Sequence, residues 1–282
     1  MNKYSSTERL LYFSNKLFIL TILSFLAICI LSPLIWIIIS SLKTNIEFFS
    51  SPLKLPKYFL FKNYINAWNL GLSKYFLNSI FVTTVSIVLT VLVGSSCAYG
   101  LSRFTFKGQD IVLYSILGGL LLSPQVALLP LFKMLVKLRI YNTYWAMILP
   151  YVGFNLPFAI FLMRSYFLSF PKDIEESAYI DGCSHFTTYL RIVLPISKPI
   201  LASTAIVTGI SVWNEFLFAL VFIEDKNLMT IPIGLLNFKD ALVTDYTTLL
   251  AAVMMGSLPM ILLFIFSQKY FIKGLTAGSI KG

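Results

Sequence analysis

Six stretches of this chain are each apolar over roughly twenty residues, approximately 17–39, 76–101, 111–131, 143–163, 199–222 and 247–268. That pattern decides what the chain can fold into. A helix rises about 1.5 Å per residue and the bilayer hydrocarbon core is about 30 Å thick, so about 20 such residues cross it. Lipid offers the backbone no hydrogen-bond partner, so these stretches are predicted helices. A membrane barrel would alternate apolar and polar residues, and these runs do not. Only 12% of the residues are charged and 57% are hydrophobic, with mean hydropathy +0.82. Soluble domains carry about 25% charge. The predicted fold class is an all-α integral membrane protein with six transmembrane helices, forming a single transmembrane domain over residues 1–282.

The first stretch follows Lys3, Arg9 and Lys16, as the core of a signal peptide would. It is longer than such a core and ends without a small-x-small cleavage site, so a retained anchor is expected. The net charge is +10, but the basic residues are scattered around predicted helix ends rather than gathered on one face. Interfacial lysines and arginines account for that distribution, and nucleic acid is not an expected partner. Cys29, Cys97 and Cys183 have no ligand spacing and His185 is the single histidine, so neither a metal site nor redox chemistry is expected.

An even number of spans puts both termini on one side. Counting lysines and arginines gives 12 on the side of the termini and 10 on the other, so charge alone leaves the orientation open. The connection after the first span holds Pro52, Pro56 and aromatic residues around Tyr58–Trp68, which predicts an ordered cap or amphipathic segment rather than a linker.

No G-x-x-x-x-G-K-[ST] phosphate loop occurs, and one histidine cannot serve a nucleophilic triad. Catalysis is therefore not expected of this chain, nor a bound cofactor. Ionisable residues within the spans are few. Glu215 and Asn214 lie in the fifth stretch, and a carboxylate at the centre of a span costs about 2.5–3.5 kcal/mol on insertion scales. Two readings of Glu215 stay open: a gate or pathway residue beside Asn214, or a structural partner at an interface or near the outer boundary. Gln125 and Asn155 lie near Pro124, Pro150 and Pro157, where broken helices can expose polar backbone to a cavity. Nearby Trp145, Tyr151 and Phe154 equally suit an interfacial aromatic belt.

Residues 171–195 read PKDIEESAYIDGCSHFTTYLRIVLP. A helix start is predicted at Pro171–Asp173, with Glu176 completing a capping box on Asp173. The helix would run from about Asp173 to Asp181 and place Ile174, Ala178 and Asp181 on one face. Gly182 is a helix stop and Leu194-Pro195 a second break. So short a helix needs a partner groove for its order.

The order Glu176-Ser177-Ala178, three residues, Gly182, nine residues, Ile192-x-Leu194-Pro195 resembles the EAA loop of ATP-binding-cassette importer permeases. Ser177 stands where that family usually has Ala. Trp213-Asn214-Glu215-Phe216 is similar to the W-N-E-F element of the sugar-importer permeases. The segment Gly274–Gly282 resembles their G-L-T-A-G-x-x-K-G tail, and Leu129-Pro130-Leu131-Phe132, Asn142-Thr143 and Leu162-Met163-Arg164 fall where similar residues occur. The resemblance covers nearly the whole chain and points to the smaller permease subunit of the maltose-type carbohydrate class.

The resemblance implies the type I importer fold, with Glu176, Ser177, Ala178, Asp181, Gly182, Leu194 and Pro195 in a cytoplasmic coupling loop. It implies that the tail with Gly274, Gly278 and Lys281 reaches the ATPase interface, against the alternative of a frayed end. It implies a heterodimer with a second permease, two ATPase subunits that hold ATP and Mg, a solute-binding protein and a sugar substrate. Transport by alternating access would follow. It also sets the orientation: a prokaryotic cell membrane with both termini cytoplasmic. Alternatives are a polyol or glycerol phosphate as substrate, or an ion-coupled secondary transporter. The last needs several intramembrane ionisable groups, and Glu215 is the clear one.

Overall fold

The computed structural model describes residues 6–171, 173–238 and 245–276. Among them the regular structure is helical and there is no strand. The chain divides into two compact units: residues up to Leu70 with Phe238–Met255, and Gly71–Asn237 with the chain from Gly256.

The first unit opens with α1 (Ser6–Ser41), followed by the short α2 (Asn45–Ser50) and α3 (Lys62–Ala67). Thr44 and Glu47 form a reciprocal capping box on α2, which satisfies two backbone donors at the helix start. The connection rich in proline and aromatics is ordered, as expected, by polar ties back to the end of α1. Lys43 is buried and donates to the carbonyls of Ser51 and Pro52 at 3.0 and 2.8 Å, and the Trp36 indole also donates to Pro52. The Asn63 amide donates to the carbonyls of Ser41 and Lys43. A buried ammonium needs such acceptors, since leaving it unpaired away from water costs several kcal/mol.

In the second unit, Gly71 takes φ 115° within the π-turn Trp68–Leu72, a left-handed turn that separates α3 from α4 (Ser73–Arg103). Then come α5 (Gln109–Gly118), α6 (Pro124–Lys137), α7 (Tyr144–Ser169), α8 (Asp173–Ile180), α9 (His185–Thr188), α10 (Leu194–Ile196), α11 (Lys198–Trp213), α12 (Leu217–Phe222) and α13 (Ile231–Gly234). Packing centres on α4 against α7, with α11 beside both. Small residues on the α4 face allow close approach: Ser79, Thr83, Ser86 and Thr90 are buried, and a Cβ on Gly94 would stand 2.7 Å from the Met163 methyl. One apolar cluster joins Val82, Leu135, Met147, Tyr151, Phe218 and Phe222. A second joins Tyr99, Ile160, Met163, Phe167, Tyr189 and Ile200.

Among the described residues, four helices are long and apolar enough to cross a membrane: Asn15–Ser41, Lys62–Arg103 taken through the Gly71 break, Tyr144–Ser169 and Tyr246–Phe266. The other two expected spans are not straight. The stretch 111–131 bends by 104° between Leu121 and Pro124. Pro124 disfavours helical backbone at Ser123, which is extended at ψ 133°, and opens a new helix at its own position. The stretch 199–222 stops at Trp213 and resumes at Leu217, and upstream His185–Ile196 meets α11 at 76°. With 16 residues, α11 is about 24 Å long, short of the hydrocarbon core by itself.

The last helix, α14 (Tyr246–Thr276), begins in the first unit, where the Tyr246 ring stacks on Phe48 at 5.7 Å. Asp245 is its N-cap. One carboxylate oxygen accepts from the backbone of Thr247 and Thr248 at 3.1 Å each, and both threonine hydroxyls donate to the carboxylate as well. Partial burial would raise the Asp245 pKa, but the bonds from Thr248 and then Thr247 outweigh it and hold the carboxyl below its ordinary value. A depressed folded pKa adds stability that is present above the unfolded carboxylate range and fades as pH falls through the folded value. Asp245→Ala is expected to lower stability by about 1 kcal/mol. In thermal melts of the purified protein, the gap to wild type should hold down to about pH 4 and narrow below it. A gap independent of pH would refute the charged cap.

Candidate functional site

The loop after α7 is held by its own turn chemistry. Gly182 adopts φ 82°, the left-handed stop expected of it. The Cys183 amide donates to the Ala178 carbonyl at 2.9 Å and the Gly182 amide to Tyr179 at 3.0 Å. These two bonds make a Schellman motif, which closes the orphan carbonyls of α8. Ser184 then caps α9 by accepting from the Thr187 amide. At the other end the structure differs from expectation: Asp173 is the first helical residue, not the cap, and the cap position 172 lies outside the described residues.

The expected face of Ile174, Ala178 and Asp181 is corrected by burial. Ala178 is 4% exposed and turned with Glu175 into the protein, whereas Ile174, Glu176, Ser177, Ile180, Asp181 and Gly182 are exposed. The outward surface is therefore built on 174, 177 and 181, with Ile180 at 87% and Phe186 at 70% exposure. Of the downstream residues, Leu194 is half-buried and Pro195 exposed beyond the π-turn Tyr189–Val193.

What fixes this surface to the bundle is a carboxylate that sequence reasoning passed over. Glu175, not Glu176, is buried, and it pairs with Arg103 at the end of α4 at 2.6 Å, both side chains under 8% exposed. Tyr99 donates to the other Glu175 oxygen at 3.0 Å. Arg103 also reaches the Phe170 carbonyl, so it ties α4, the end of α7 and α8 together. Around this pair, Tyr179 sits 2.9 Å from His185 Nδ1, the His185 ring packs edge-on to Phe104, and Ser95 meets the Tyr189 hydroxyl at 2.7 Å. The available signal was two adjacent glutamates on a helix of period 3.6, of which one must face inward, and an arginine closing the preceding span.

The polar residues of the spans are not gathered into one site. Glu215 accepts from the Tyr151 hydroxyl at 2.6 Å and from the backbone amides of Phe218 at 2.9 Å and Ala219 at 3.3 Å. Its carboxylate thus caps α12 and sustains the break after α11. Asn214 donates to the Ile210 carbonyl and Asn155 to that of Tyr151, each within its own helix. Gln125 is exposed and bonded to Ser123. Tyr151 connects Glu215 with Asn155, while Gln125 stands apart. The crease at the α5–α6 bend is lined by apolar residues such as Leu122, Leu131, Leu149 and Pro157 and includes none of the four. Of the tail residues, Gly274 belongs to α14, and Gly278 and Lys281 lie outside the described residues.

Comparison with known proteins agrees with this architecture. Residues 10–276 match the family described as "Binding-protein-dependent transport system inner membrane component". The chain is 49% identical over 255 residues to the probable ABC transporter permease protein YurM of Bacillus subtilis, covering 90% of this chain and 85% of that one. It is 38% identical to the trehalose/maltose transport system permease protein MalG of Thermococcus litoralis, covering 91% and 94%. It is 34% identical to the diacetylchitobiose uptake system permease protein NgcG of Streptomyces coelicolor, covering 98% and 91%. In fold it superposes with TM-score 0.82 and 24% identity on a chain of a bacterial ABC transporter involved in the import of alginate, covering 96% of this chain and all of that one. A multi-pass helical bundle with an outward-facing loop locked by a buried ion pair, matched over nearly its whole length, leaves one assignment: the chain belongs to the family of inner membrane components of binding-protein-dependent transport systems.

Proposed function

We propose that this chain is one permease half of an ATP-driven importer of a sugar or oligosaccharide, and that α8 with its flanking turns docks into the ATPase subunit. The observation that carries the reading is the outward surface of the loop after α7. Ile174, Ser177, Ile180, Asp181, Gly182 and Phe186 are exposed on a segment whose inner side is anchored by Arg103–Glu175. Apolar side chains raised on a rigid mount are what helix-in-groove docking requires. The sugar class is supported by similar permeases of transport systems for trehalose/maltose, diacetylchitobiose and arabinooligosaccharides.

In this mechanism the docked loop lies on the cytoplasmic side, with both termini, and a second, homologous permease completes the pathway. Two ATPase subunits bind ATP and Mg and hydrolyse the nucleotide; this chain performs no covalent step. Closure of the ATPases displaces α8, and the bundle passes from inward-open to outward-open, where a solute-binding protein delivers the sugar. The tail with Gly274, Gly278 and Lys281 extends toward the ATPase interface. Glu215 acts by holding the α11–α12 break, which shapes the middle of the bundle, rather than by touching sugar.

Two experiments test these assignments. A Cβ at Gly182 would meet no atom of the described residues within 4 Å, and φ is 82° there, so Gly182→Asp adds backbone strain of about 1 kcal/mol and a charge on the outward side without a clash. Affinity purification of the tagged complex should recover the variant from the membrane without the ATPase that accompanies wild type. Equal recovery of the ATPase would sink the docking role. For Glu215→Gln, the expected result is a lower thermal midpoint with sugar preference unchanged, because a neutral amide is a weaker cap acceptor. An unchanged midpoint with altered preference would make Glu215 a pathway residue instead.

A further inference from the structure

Between the end of α1 and Trp68 the chain carries an exposed apolar surface. On α2, Ile46 and Phe49 project from one face, Ile46 at 81% exposure. In the connection that follows, Leu53 is 86% exposed and Phe59 is exposed as well. On α3 the exposed positions Phe61, Ile65 and Trp68 keep the i, i+4, i+7 spacing of one helix face, while Asn63 and Ala67 on the other side are buried. The backbone beneath these side chains is fixed. Lys43 and Trp36 donate to carbonyls of the connection, Asn63 donates to those of Ser41 and Lys43, and Phe48 stacks on Tyr246.

The same stretch holds Lys54, Lys57 and Lys62, all of them exposed. They alternate with apolar residues in Leu53-Lys54-Leu55, Lys57-Tyr58-Phe59 and Phe61-Lys62. Among the described residues none of the three makes an ion pair. Glu47 is the acidic residue of the stretch, and its carboxylate accepts from the backbone amides of Thr44 and Lys57. The apolar run of α1 ends at Ser41, directly before this segment. The next crossing does not require α3. With 31 residues, α4 is about 46 Å long, more than the hydrocarbon core of about 30 Å.

We infer that residues 45–68 lie in the membrane interface on the side that α1 reaches at Ser41, with Lys54, Lys57 and Lys62 on the phosphates of anionic phospholipids. Aromatic and aliphatic side chains interleaved with lysines suit that depth. The rings sit at the acyl boundary, and the lysine stems lie along apolar surface while their ammonium groups reach the headgroups. Anionic lipid supplies the opposite charge that this chain withholds from the three lysines. Two other occupants fit the surface less well. A solute-binding protein engages and leaves, so the patch would face water between encounters. A second permease would stay, but the cores of protein interfaces are depleted in lysine, and three ammonium groups without carboxylates would lose their water there. The inference needs the chain to cross the membrane and is independent of what it transports.

The test uses the complete complex in phosphatidylcholine nanodiscs, in a background of Cys29→Ala, Cys97→Ala and Cys183→Ala. A bimane label is attached at Leu53→Cys or Phe59→Cys. Its quenching is read with phospholipid brominated on the acyl chains and with iodide in the water, before and after the solute-binding protein is added. The expected result is strong quenching by brominated lipid and shielding from iodide, both unchanged by the solute-binding protein. Brominated phosphatidylglycerol, as a minor component, should quench about twofold more than brominated phosphatidylcholine at the same fraction. The triple variant Lys54→Gln, Lys57→Gln, Lys62→Gln should lose that excess and keep the quenching by brominated phosphatidylcholine. Labels shielded from both quenchers would put the second permease over the patch and overturn the inference. Iodide quenching that the solute-binding protein removes would overturn it in favour of that protein. Equal quenching by the two brominated lipids in the wild-type background would overturn the anionic headgroup assignment. If the Phe59→Cys complex does not assemble, Leu53→Cys at the more exposed position carries the same test.

Discussion

A single buried ion pair, Arg103 with Glu175, underlies the arrangement of the loop that carries α8. A pair removed from water stabilises only when its remaining donors and acceptors are also satisfied. Here they are: Tyr99 takes the second carboxylate oxygen and the Phe170 carbonyl takes part of the guanidinium. Removing one partner would leave the other charge buried, which costs about 3–5 kcal/mol. That cost explains how an eight-residue helix, too short to persist alone in water, can project apolar side chains. The entropy of ordering α8 is met by the bundle beforehand, so a docking partner would not have to supply it.

The same economy governs the bends in the spans. Breaking a helix in lipid exposes amides and carbonyls that water cannot reach, so each break needs substitutes within the protein. At the α11–α12 break the substitute is Glu215, which accepts from two backbone amides and from Tyr151. At the α5–α6 bend it is Pro124, which has no amide to satisfy. The alternative of an ion-coupled transporter is set aside by the family to which residues 10–276 belong.

Asparagine side chains do much of the loop fixation, because one amide can donate to two carbonyls or its oxygen can accept from two backbone amides. Asn63 gathers the end of α1 in the first unit. Asn78 and Asn142 gather Ile223–Thr230 in the second. Asn142 does so from φ 54°, a conformation asparagine tolerates better than most residues. Tyr141 adds a bond to Glu224, and burial first and that carboxylate second raise its phenol pKa. It therefore stays a neutral donor throughout the physiological range.

Much of this molecule was legible along the chain. Runs of twenty apolar residues had to be helical and Gly182 could only be a left-handed stop, because those outcomes depend on a residue and its immediate neighbours. The loop motif and the tail pointed to the family for the same reason. The breaks within 111–131 and 199–222 were not read from the chain. What the tertiary structure decided are choices between equivalent local options. Glu175 and Glu176 have the same propensity, and only Arg103, 72 residues away, makes the first the buried one. Ala178 could have faced either way until the bundle took it inward. Nothing along the chain singles out Asn78, yet the carbonyl of Asn227, 149 residues on, stands 2.8 Å from its amide. Periodicity along the chain specifies which faces exist; which face meets which depends on contacts that only the folded chain brings together.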